Sequence, residues 1–289
     1  MRLALAQVEI EGGDVAGNVD RAVDAVETAA AEGADLVALP EMFTVGYFAF
    51  DSYARTAEGI EGETLSRLSR VASDGGVALL AGSVVEDLAA SREEGVETPA
   101  PEGFANTAVL FDADGNRRAV YRKRHLFGYG SAESELLTPG ESLPTAEIGD
   151  HVVGVTTCYD LRFPATYRRL VDAGATLVLV PSAWPYPRVE HWRLFTRTRA
   201  VENLLYLGAV NGVGRFEDGE LIGRSAVYDP WGTTLASAGD EPTLLTAEVD
   251  RDRVEAVRDE FPALDDRRER PAGAGRSSQG GADGQTGGL

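Results

Sequence analysis

The 289-residue chain is predicted to fold as an α/β protein, a four-layer α-β-β-α sandwich with an internal pseudo-repeat. Two observations predict this fold. Short apolar, often β-branched runs, typical of sheets covered on both faces, alternate with amphipathic helical patterns. The segment Gly-Ala-Asp-Leu-Val-Ala-Leu-Pro-Glu41 is also echoed by Gly-Ala-Thr-Leu-Val-Leu-Val-Pro-Ser182. Each copy lies within a β-α-β-α-β-β order of elements, so two similar sheets are expected to pack face to face with helices outside.

The first half of the chain supplies one set of these elements. Hydrophobic periodicity predicts strands at 2–9, 35–41 and 77–84 and helices at 18–32, capped by Asn18, and at 64–74. Strands at 106–111 and 117–121 flank the turn Asp-Ala-Asp-Gly-Asn116 and predict a hairpin. The acidic, proline-containing segment 86–103 is interpreted as a surface insertion.

The second half repeats the pattern around Cys158. A β-branched run at 152–157 predicts a buried strand that ends at this cysteine, and Pro164 opens a helix at 164–173. Further strands are predicted at 175–180, 206–211, 225–228, 233–236 and 243–249, with a helix at 189–203. The segment 131–144 is predicted to be a loop carrying Glu133.

Length and composition limit the class of protein. Residues 1–260 fit one domain, whereas the Gly- and Ser-rich segment 267–289 is expected to be a flexible C-terminal tail. No apolar run approaches the roughly 20 residues of a membrane span, and no signal peptide is recognised before the first strand. A single cysteine excludes an internal disulfide and multi-cysteine metal sites. We therefore expect a cytoplasmic protein.

The charge balance concerns partners and surface chemistry. A formal net charge of −20 argues against nucleic acid or an anionic membrane as a partner. Of the 27 basic residues, Lys123 is the one lysine and the others are arginine. Acid-rich, lysine-poor composition suits a salt-rich, halophile-like cytoplasm, and a GC-rich genome favours the same bias. Either origin leaves Lys123 as a residue with a candidate chemical role.

Three residues with complementary chemistry are predicted to lie where strands end: Glu41, Lys123 and Cys158. A carboxylate can take the proton of a thiol, and a nearby ammonium favours the thiolate. The ammonium and the Tyr159 N–H could hold a developing oxyanion, and Glu133 could pair with a desolvated Lys123. Such a set indicates acyl transfer at a carbon–nitrogen bond. The alternatives are a small buried cysteine and a solvated basic cluster at 122–125.

The motifs that carry these residues resemble a known family. Leu-Pro-Glu41, Tyr-Arg-Lys123-Arg-His-Leu-Phe and Cys158-Tyr-Asp-Leu-Arg-Phe-Pro resemble, in order and spacing, the three signature segments of the nitrilase superfamily of carbon–nitrogen hydrolases. The resemblance covers about residues 1 to 260 and implies the α-β-β-α sandwich and a homodimer or higher homo-oligomer. It also implies a catalytic Glu41–Lys123–Cys158 triad, with Glu133 as the further glutamate that positions the lysine.

Within the superfamily the chain resembles the ω-amidase-like branch, which hydrolyses short dicarboxylic monoamides such as 2-oxoglutaramate. Tyr159-Asp160 differs from the Cys-Trp-Glu pattern of true nitrilases, and the loop 127–133 is shorter than in many ω-amidases. Arg162 could reach a substrate carboxylate, although a structural ion pair with a neighbouring acid is the favoured interpretation. No cofactor and no metal are expected. The predicted substrate-binding residues are Tyr47, Tyr159, Arg162, Trp184 and His191.

Other functions are weighed against this one. An N-carbamoyl amino acid hydrolase or another linear amidase would use the same residues, and a non-catalytic small-ligand-binding or scaffold protein could share the fold. A cysteine–histidine hydrolase would need a histidine near Cys158, and His151 lies far along the strand. A glutamine amidotransferase would need a Gly-x-Cys-x-Gly turn, and no glycine lies two residues either side of Cys158.

Overall fold

The computed structural model describes residues 1–268, so the predicted tail at 267–289 lies outside the described residues except for its first two positions. The first half of the chain forms six strands and four helices. They are β1 (Arg2–Gln7), α1 (Val15–Ala31), β2 (Leu36–Ala38), α2 (Tyr53–Thr56), α3 (Glu63–Gly75), β3 (Ala78–Leu80), β4 (Val84–Asp87), α4 (Leu88–Glu93), β5 (Phe104–Phe111) and β6 (Arg117–Arg122).

The second half adds nine strands and four helices within the described residues, together with a 3-10 turn at Cys158–Arg162. They are α5 (Glu133–Leu136), β7 (Thr145–Ile148), β8 (His151–Val155), α6 (Pro164–Asp172), β9 (Leu177–Ser182), α7 (Val189–Asn203), β10 (Tyr206–Asn211), β11 (Val213–Phe216), β12 (Gly219–Ile222), β13 (Ala226–Tyr228), β14 (Thr234–Ser237), β15 (Thr243–Glu248) and α8 (Arg251–Glu260).

Two large sheets confirm the predicted pseudo-repeat. Within residues 1–268 one sheet has the order β15-β1-β2-β3-β5-β4, with β6 paired to β5, and the other has the order β14-β13-β10-β9-β8-β7. In each, three strands run parallel, β1-β2-β3 and β8-β9-β10, and a hairpin follows. The two echoed segments form β2 and β9, which occupy corresponding positions.

Three apolar clusters separate four layers, as the sandwich requires. Alternation along β1 sends Ala4 and Ala6 into the cluster shared with α1 and α3, while Leu3 and Leu5 enter a second cluster between the sheets. That central cluster also holds side chains of β8 and β9, such as Val155 and Leu179, and a third cluster lies between the second sheet and helices α6 and α7. The predicted fold class is confirmed.

The start of the first helix differs from the prediction. The helix begins at Val15, capped by Asp14, whose carboxylate accepts from the Gly17 N–H. Asn18, predicted to be the cap, lies inside the helix and is buried. Its amide donates to the carbonyls of Glu11 and Thr44, at 2.7 Å each, so this polar side chain holds neighbouring loops instead of the helix end.

The segment 86–103 is not a simple surface insertion, which corrects the prediction. Glu86 is fully buried in β4, where its carboxylate accepts two hydrogen bonds from Arg122 at 2.6 and 2.7 Å. The predicted strand 77–84 is divided into β3 and β4 at Gly82, which has φ +52°. A Cβ at this position would lie 2.1 Å from the Pro40 carbonyl oxygen, so a side chain does not fit there. The expected surface insertion therefore begins with a buried charged residue, Glu86, and the expected continuous strand is interrupted by a glycine in the left-handed conformation.

Several further elements were not predicted: α2, α4, α8, β7 and the β11–β12 hairpin. In addition, β15, expected simply to close the sheets, pairs antiparallel with β1 and so returns the chain to the first sheet. These elements are short or polar, and their partners are distant in sequence, so periodicity alone gives little signal for them.

Gly208 on β10 marks the close approach of the two sheets. A Cβ there would lie 2.9, 3.0 and 3.4 Å from the terminal carbons of Leu179, Leu3 and Leu5. We expect Gly208→Ala to lower the free energy of unfolding by about 1–3 kcal/mol through overpacking, measured by urea denaturation. Gly239→Ala, whose Cβ would have no neighbour within 4 Å, is the matched control. Equal stability of the two variants would contradict the tight sheet contact.

Candidate active site

Three strand ends bring Glu41, Lys123 and Cys158 together. Glu41 lies three residues after β2, Lys123 directly after β6, and Cys158 at the start of the 3-10 turn that follows β8. All three are buried. Because β2 and β6 belong to one sheet and β8 to the other, the site forms where the two sheets meet.

The Lys123 ammonium lies between two carboxylates. Its Nζ is 2.8 Å from Glu41 Oε1 and 2.7 and 2.9 Å from the two oxygens of Glu133, and each of the three side chains is at most 1% exposed. Burial alone would lower the pKa of Lys123, but the charges of Glu133 and Glu41 outweigh it and raise that pKa well above its usual value. Lys123 is therefore a permanent cation, so the alternative of a solvated basic cluster is wrong for this residue.

Glu41 is the carboxylate nearest the thiol. Its Oε2 accepts the Ala183 N–H at 2.8 Å, and the side chain also hydrogen-bonds the Cys158 thiol. Burial raises the pKa of Glu41 although the Lys123 charge opposes it. A carboxylate with a raised pKa beside the Cys158 thiol is placed to act as a general base.

Asn106 is a site residue that the sequence analysis missed. Its fully buried side-chain amide donates to Glu41 Oε1 at 2.8 Å and to Glu133 Oε1 at 3.2 Å, the same oxygens that Lys123 contacts. Its backbone carbonyl accepts a hydrogen bond from the backbone N–H of Lys123 at 2.8 Å. The available signal was a lone amide near the start of the apolar strand β5, a position that normally needs a buried partner.

Glu133 is fixed from several sides. Its Oε2 accepts from the Phe127 N–H at 2.7 Å and from the Tyr47 hydroxyl at 3.2 Å. The residue begins the short helix α5 rather than lying in an irregular loop as predicted. Because Glu133 carries these contacts and binds Lys123 with both oxygens, it positions the ammonium.

Cys158 occupies a strained turn. Its φ is +46°, in the left-handed region that non-glycine residues rarely adopt and that concentrates at functional sites. The Ala183 N–H also donates to its sulfur. Burial, followed by the Glu41 charge, raises the pKa of the thiol well above its usual value. The resting nucleophile is therefore a neutral thiol hydrogen-bonded to a carboxylate.

Asp160 fixes the turn that carries the cysteine. Its buried carboxylate accepts the Thr157 N–H at 2.9 Å and the Tyr121 hydroxyl at 2.5 Å, and it contacts His125 Nδ1 at 2.6 Å. Tyr121 and His125 flank Lys123 in the chain. Asp160 thus connects the nucleophile turn to the strand end that carries the ammonium.

A cavity of about 230 Å³ opens onto the thiol and the ammonium. Four of the five predicted substrate-binding residues line it: Tyr47, Tyr159, Arg162 and Trp184. The fifth, His191, lies on the exposed first turn of α7, where its Nδ1 is 3.1 Å from an Arg162 nitrogen. His191 thus contacts Arg162 but is not itself one of the residues that line the cavity.

The favoured interpretation of Arg162, a structural ion pair, is wrong. Within the described residues its guanidinium has no carboxylate partner. It lies instead 5.1, 5.5 and 5.9 Å from the ring centroids of Phe195, Trp184 and Tyr159. Aromatic faces can hold a guanidinium without neutralising its charge, so Arg162 presents an uncompensated cation to the cavity.

The three histidines do not form a cysteine–histidine pair. His125 contacts Asp160, His151 contacts the Thr176 hydroxyl at 3.0 Å, and His191 contacts Arg162. Across residues 1–268, no group of three or more His, Cys, Asp or Glu residues is arranged to hold a metal ion. Over the same range, none of the helices combines the length and apolar character needed to span a bilayer.

An α-β-β-α sandwich with a thiol, a carboxylate and an ammonium at its strand ends defines a class of cysteine-dependent hydrolases. Comparison with known proteins gives the family: the family model for carbon-nitrogen hydrolases matches residues 2–259, and the chain belongs to this family. It is therefore an enzyme of the nitrilase superfamily, which confirms the resemblance.

Individual relatives are similar over most of their length. The chain is 36% identical to a 2-oxoglutaramate amidase of Paenarthrobacter nicotinovorans over 239 residues, 81% of this chain and 79% of the relative. Nit3 of Saccharomyces cerevisiae matches with a TM-score of 0.82 and 30% identity, over 93% of this chain and 97% of Nit3. A mutant amidase of Nesterenkonia sp. AN1 matches with a TM-score of 0.78 and 31% identity, over 93% of this chain and 94% of the amidase. That structure shows the acetamide moiety of fluoroacetamide covalently added at the active-site cysteine of the amidase.

The charge state of Cys158 can be measured directly because it is the one cysteine of the chain. Since burial and Glu41 raise its pKa, we expect no thiolate absorbance at 240 nm between pH 6 and pH 9 in the difference between wild type and Cys158→Ala. The denatured protein, as control, should titrate near pH 8.5. A thiolate step below pH 8 in the folded protein would contradict the neutral resting thiol.

Loss of the Asp160 carboxylate should misplace the nucleophile turn. We expect Asp160→Asn to lower kcat for amide hydrolysis roughly 10- to 100-fold and the free energy of unfolding by about 1–3 kcal/mol, measured by ammonia release and denaturation. Asp114→Asn in the exposed hairpin turn is the control. Unchanged kcat in Asp160→Asn would exclude this positioning role.

Proposed function

We propose that this enzyme hydrolyses the terminal amide of short dicarboxylic monoamides, with 2-oxoglutaramate as a representative substrate. The observation that carries the proposal is the Cys158 thiol held against Glu41 beside the Lys123 ammonium, in a cavity that also contains the unpaired Arg162. The 2-oxoglutaramate amidase among the relatives supports this substrate class. The covalent cysteine adduct of the Nesterenkonia amidase supports the nucleophile assignment.

The proposed reaction begins at the neutral thiol. Glu41 takes the thiol proton as the Cys158 sulfur attacks the amide carbon, so no free thiolate forms. The Lys123 ammonium and the Tyr159 N–H stabilise the resulting oxyanion. Loss of one such donor typically raises the barrier by about 2.7–4 kcal/mol.

Collapse of the tetrahedral intermediate breaks the carbon–nitrogen bond. Glu41 returns its proton to the leaving nitrogen, and ammonia departs while the acyl group stays on Cys158 as a thioester. Glu41 then takes a proton from water as the water oxygen attacks the thioester carbon. It returns this proton to the departing Cys158 sulfur, so that the carboxylic acid leaves and the thiol is restored. One amide and one water thus yield one acid and one ammonia, with the enzyme regenerated.

Arg162 supplies the proposed specificity for a carboxylate. The residue follows Cys158 by four positions, lines the same cavity and has no acidic partner within residues 1–268. A carboxylate at the far end of a short ω-amide could bind the guanidinium through charge-assisted hydrogen bonds. Tyr47, Tyr159 and Trp184 would form the walls around the intervening carbons.

An N-carbamoyl amino acid is the second candidate substrate, since it also carries a carboxylate and a terminal carbamoyl group.

A homodimer or higher homo-oligomer, a cytoplasmic location and a single hydrolase domain at 1–260 stay predictions from the sequence.

The test is an ammonia-release assay over a panel of ω-amides, N-carbamoyl amino acids and nitriles. We expect ω-amides with a carboxylate to give the highest kcat/KM and nitriles to give no turnover. Cys158→Ala should abolish ammonia release while keeping the fold, checked by circular dichroism. Turnover retained by Cys158→Ala would refute the assignment of Cys158 as the nucleophile. A preference for N-carbamoyl amino acids would show that they, rather than ω-amides, are the substrate class.

A further inference from the structure

A second guanidinium faces the cavity without an acidic partner. Arg188 lines the same cavity as Cys158, on the segment that connects β9 to α7. Within the described residues its side chain forms no ion pair or hydrogen bond, and its one recorded contact is the Phe127 ring, 5.4 Å from the guanidinium carbon to the centroid. Arg188 is therefore a half-buried cation with free hydrogen-bond donors.

The backbone around Arg188 is fixed although its side-chain donors are free. The Arg188 carbonyl accepts the Trp184 indole N–H at 3.0 Å and the Trp192 N–H at 3.1 Å. The Phe127 ring that carries the guanidinium is itself in edge contact with Tyr159, at 5.0 Å between centroids. Arg188 thus contacts one ring of the Phe127–Tyr159 pair, and Arg162 contacts the other.

Neither arginine of the cavity forms an ion pair with a carboxylate of the described residues. The Lys123 ammonium is compensated by Glu41 and Glu133, but Arg162 and Arg188 are not. Asp218 is the one carboxylate among the cavity-lining residues of the described chain, and it forms no ion pair with either arginine. In a protein with 47 acidic and 27 basic residues, two unpaired guanidiniums in one cavity are a specific arrangement.

We propose that Arg188 forms a second anion subsite, so that the preferred substrates are short ω-amides carrying two anionic groups. One group would bind Arg162, the last residue of the 3-10 turn that begins at Cys158, and the other would bind Arg188. This inference rests on the proposed function, because it concerns the acid end of the same amide substrate. Two guanidiniums that line one cavity and contact the two rings of one aromatic pair match a branched dianion better than a single carboxylate.

Binding to the inactive protein tests the subsite without turnover. In the Cys158→Ala background, calorimetry would compare butyramide, glutaramate and (2-carbamoylethyl)malonate, which are neutral, monoanionic and dianionic amides of similar length. We expect the dianion to bind about tenfold more tightly than the monoanion, the gain of one charge-assisted hydrogen bond. Adding Arg188→Gln should remove most of that difference, and Arg188→Lys should keep part of it.

Arg193→Gln is the matched control, because Arg193 is an exposed arginine of α7 paired with Glu190, outside the cavity. It should leave the ratio of dianion to monoanion affinity unchanged. Equal affinity for the two anions, or an Arg188→Gln variant that weakens all three ligands by the same factor, would overturn the proposal and reduce Arg188 to a support for Phe127. Tight dianion binding without hydrolysis of any amide by the wild type would overturn the proposed function alone.

Discussion

The ammonium of Lys123 is removed from water and held by two carboxylates, and the geometry of the site depends on this arrangement. Breaking such a buried pair by removing one partner typically costs about 3–5 kcal/mol, because the remaining charge is left uncompensated. The three charges come from the end of β2, the end of β6 and the start of α5, and Asn106 on β5 donates to both carboxylates. Each of these segments must therefore be in register before the charges can be buried, so the packing of the first sheet and the site form together.

The same burial determines how protons move during catalysis. A raised pKa keeps Cys158 protonated and a raised pKa makes Glu41 a stronger base, while the carboxylates keep Lys123 charged. In the proposed reaction, deprotonation of the thiol is coupled to its attack on the amide, because Glu41 lies beside the thiol. Asp160 adds a geometric constraint by connecting the nucleophile turn to the residues that flank Lys123. Charge and position are thus controlled by different residues.

Recognition of the substrate follows a different principle from the catalytic centre. Around Lys123 every charge is paired inside the protein, whereas Arg162 and Arg188 lie against aromatic rings and have no carboxylate partner within residues 1–268. A guanidinium on an aromatic face is ordered without being neutralised. A strongly acidic protein can in this way keep two guanidinium groups without acidic partners in its cavity. We infer that these two cations distinguish acidic amides from neutral ones, while the catalytic residues act on the amide group common to both.

The fold class, the pseudo-repeat and the segments that carry Glu41, Lys123 and Cys158 could be predicted from the sequence, because buried strands and their ends leave a local pattern of apolar runs and turn residues. The sequence also located α7 at Val189–Asn203 and β10 at Tyr206–Asn211 for the same reason. Four features became visible only in the folded chain: Asn106 bridges two carboxylates, Glu86 is buried against Arg122, Arg162 has no acidic partner within residues 1–268, and β15 pairs with β1. Whether a polar residue is paired, bridging or free depends on contacts between segments far apart in the chain, and no local periodicity encodes those contacts.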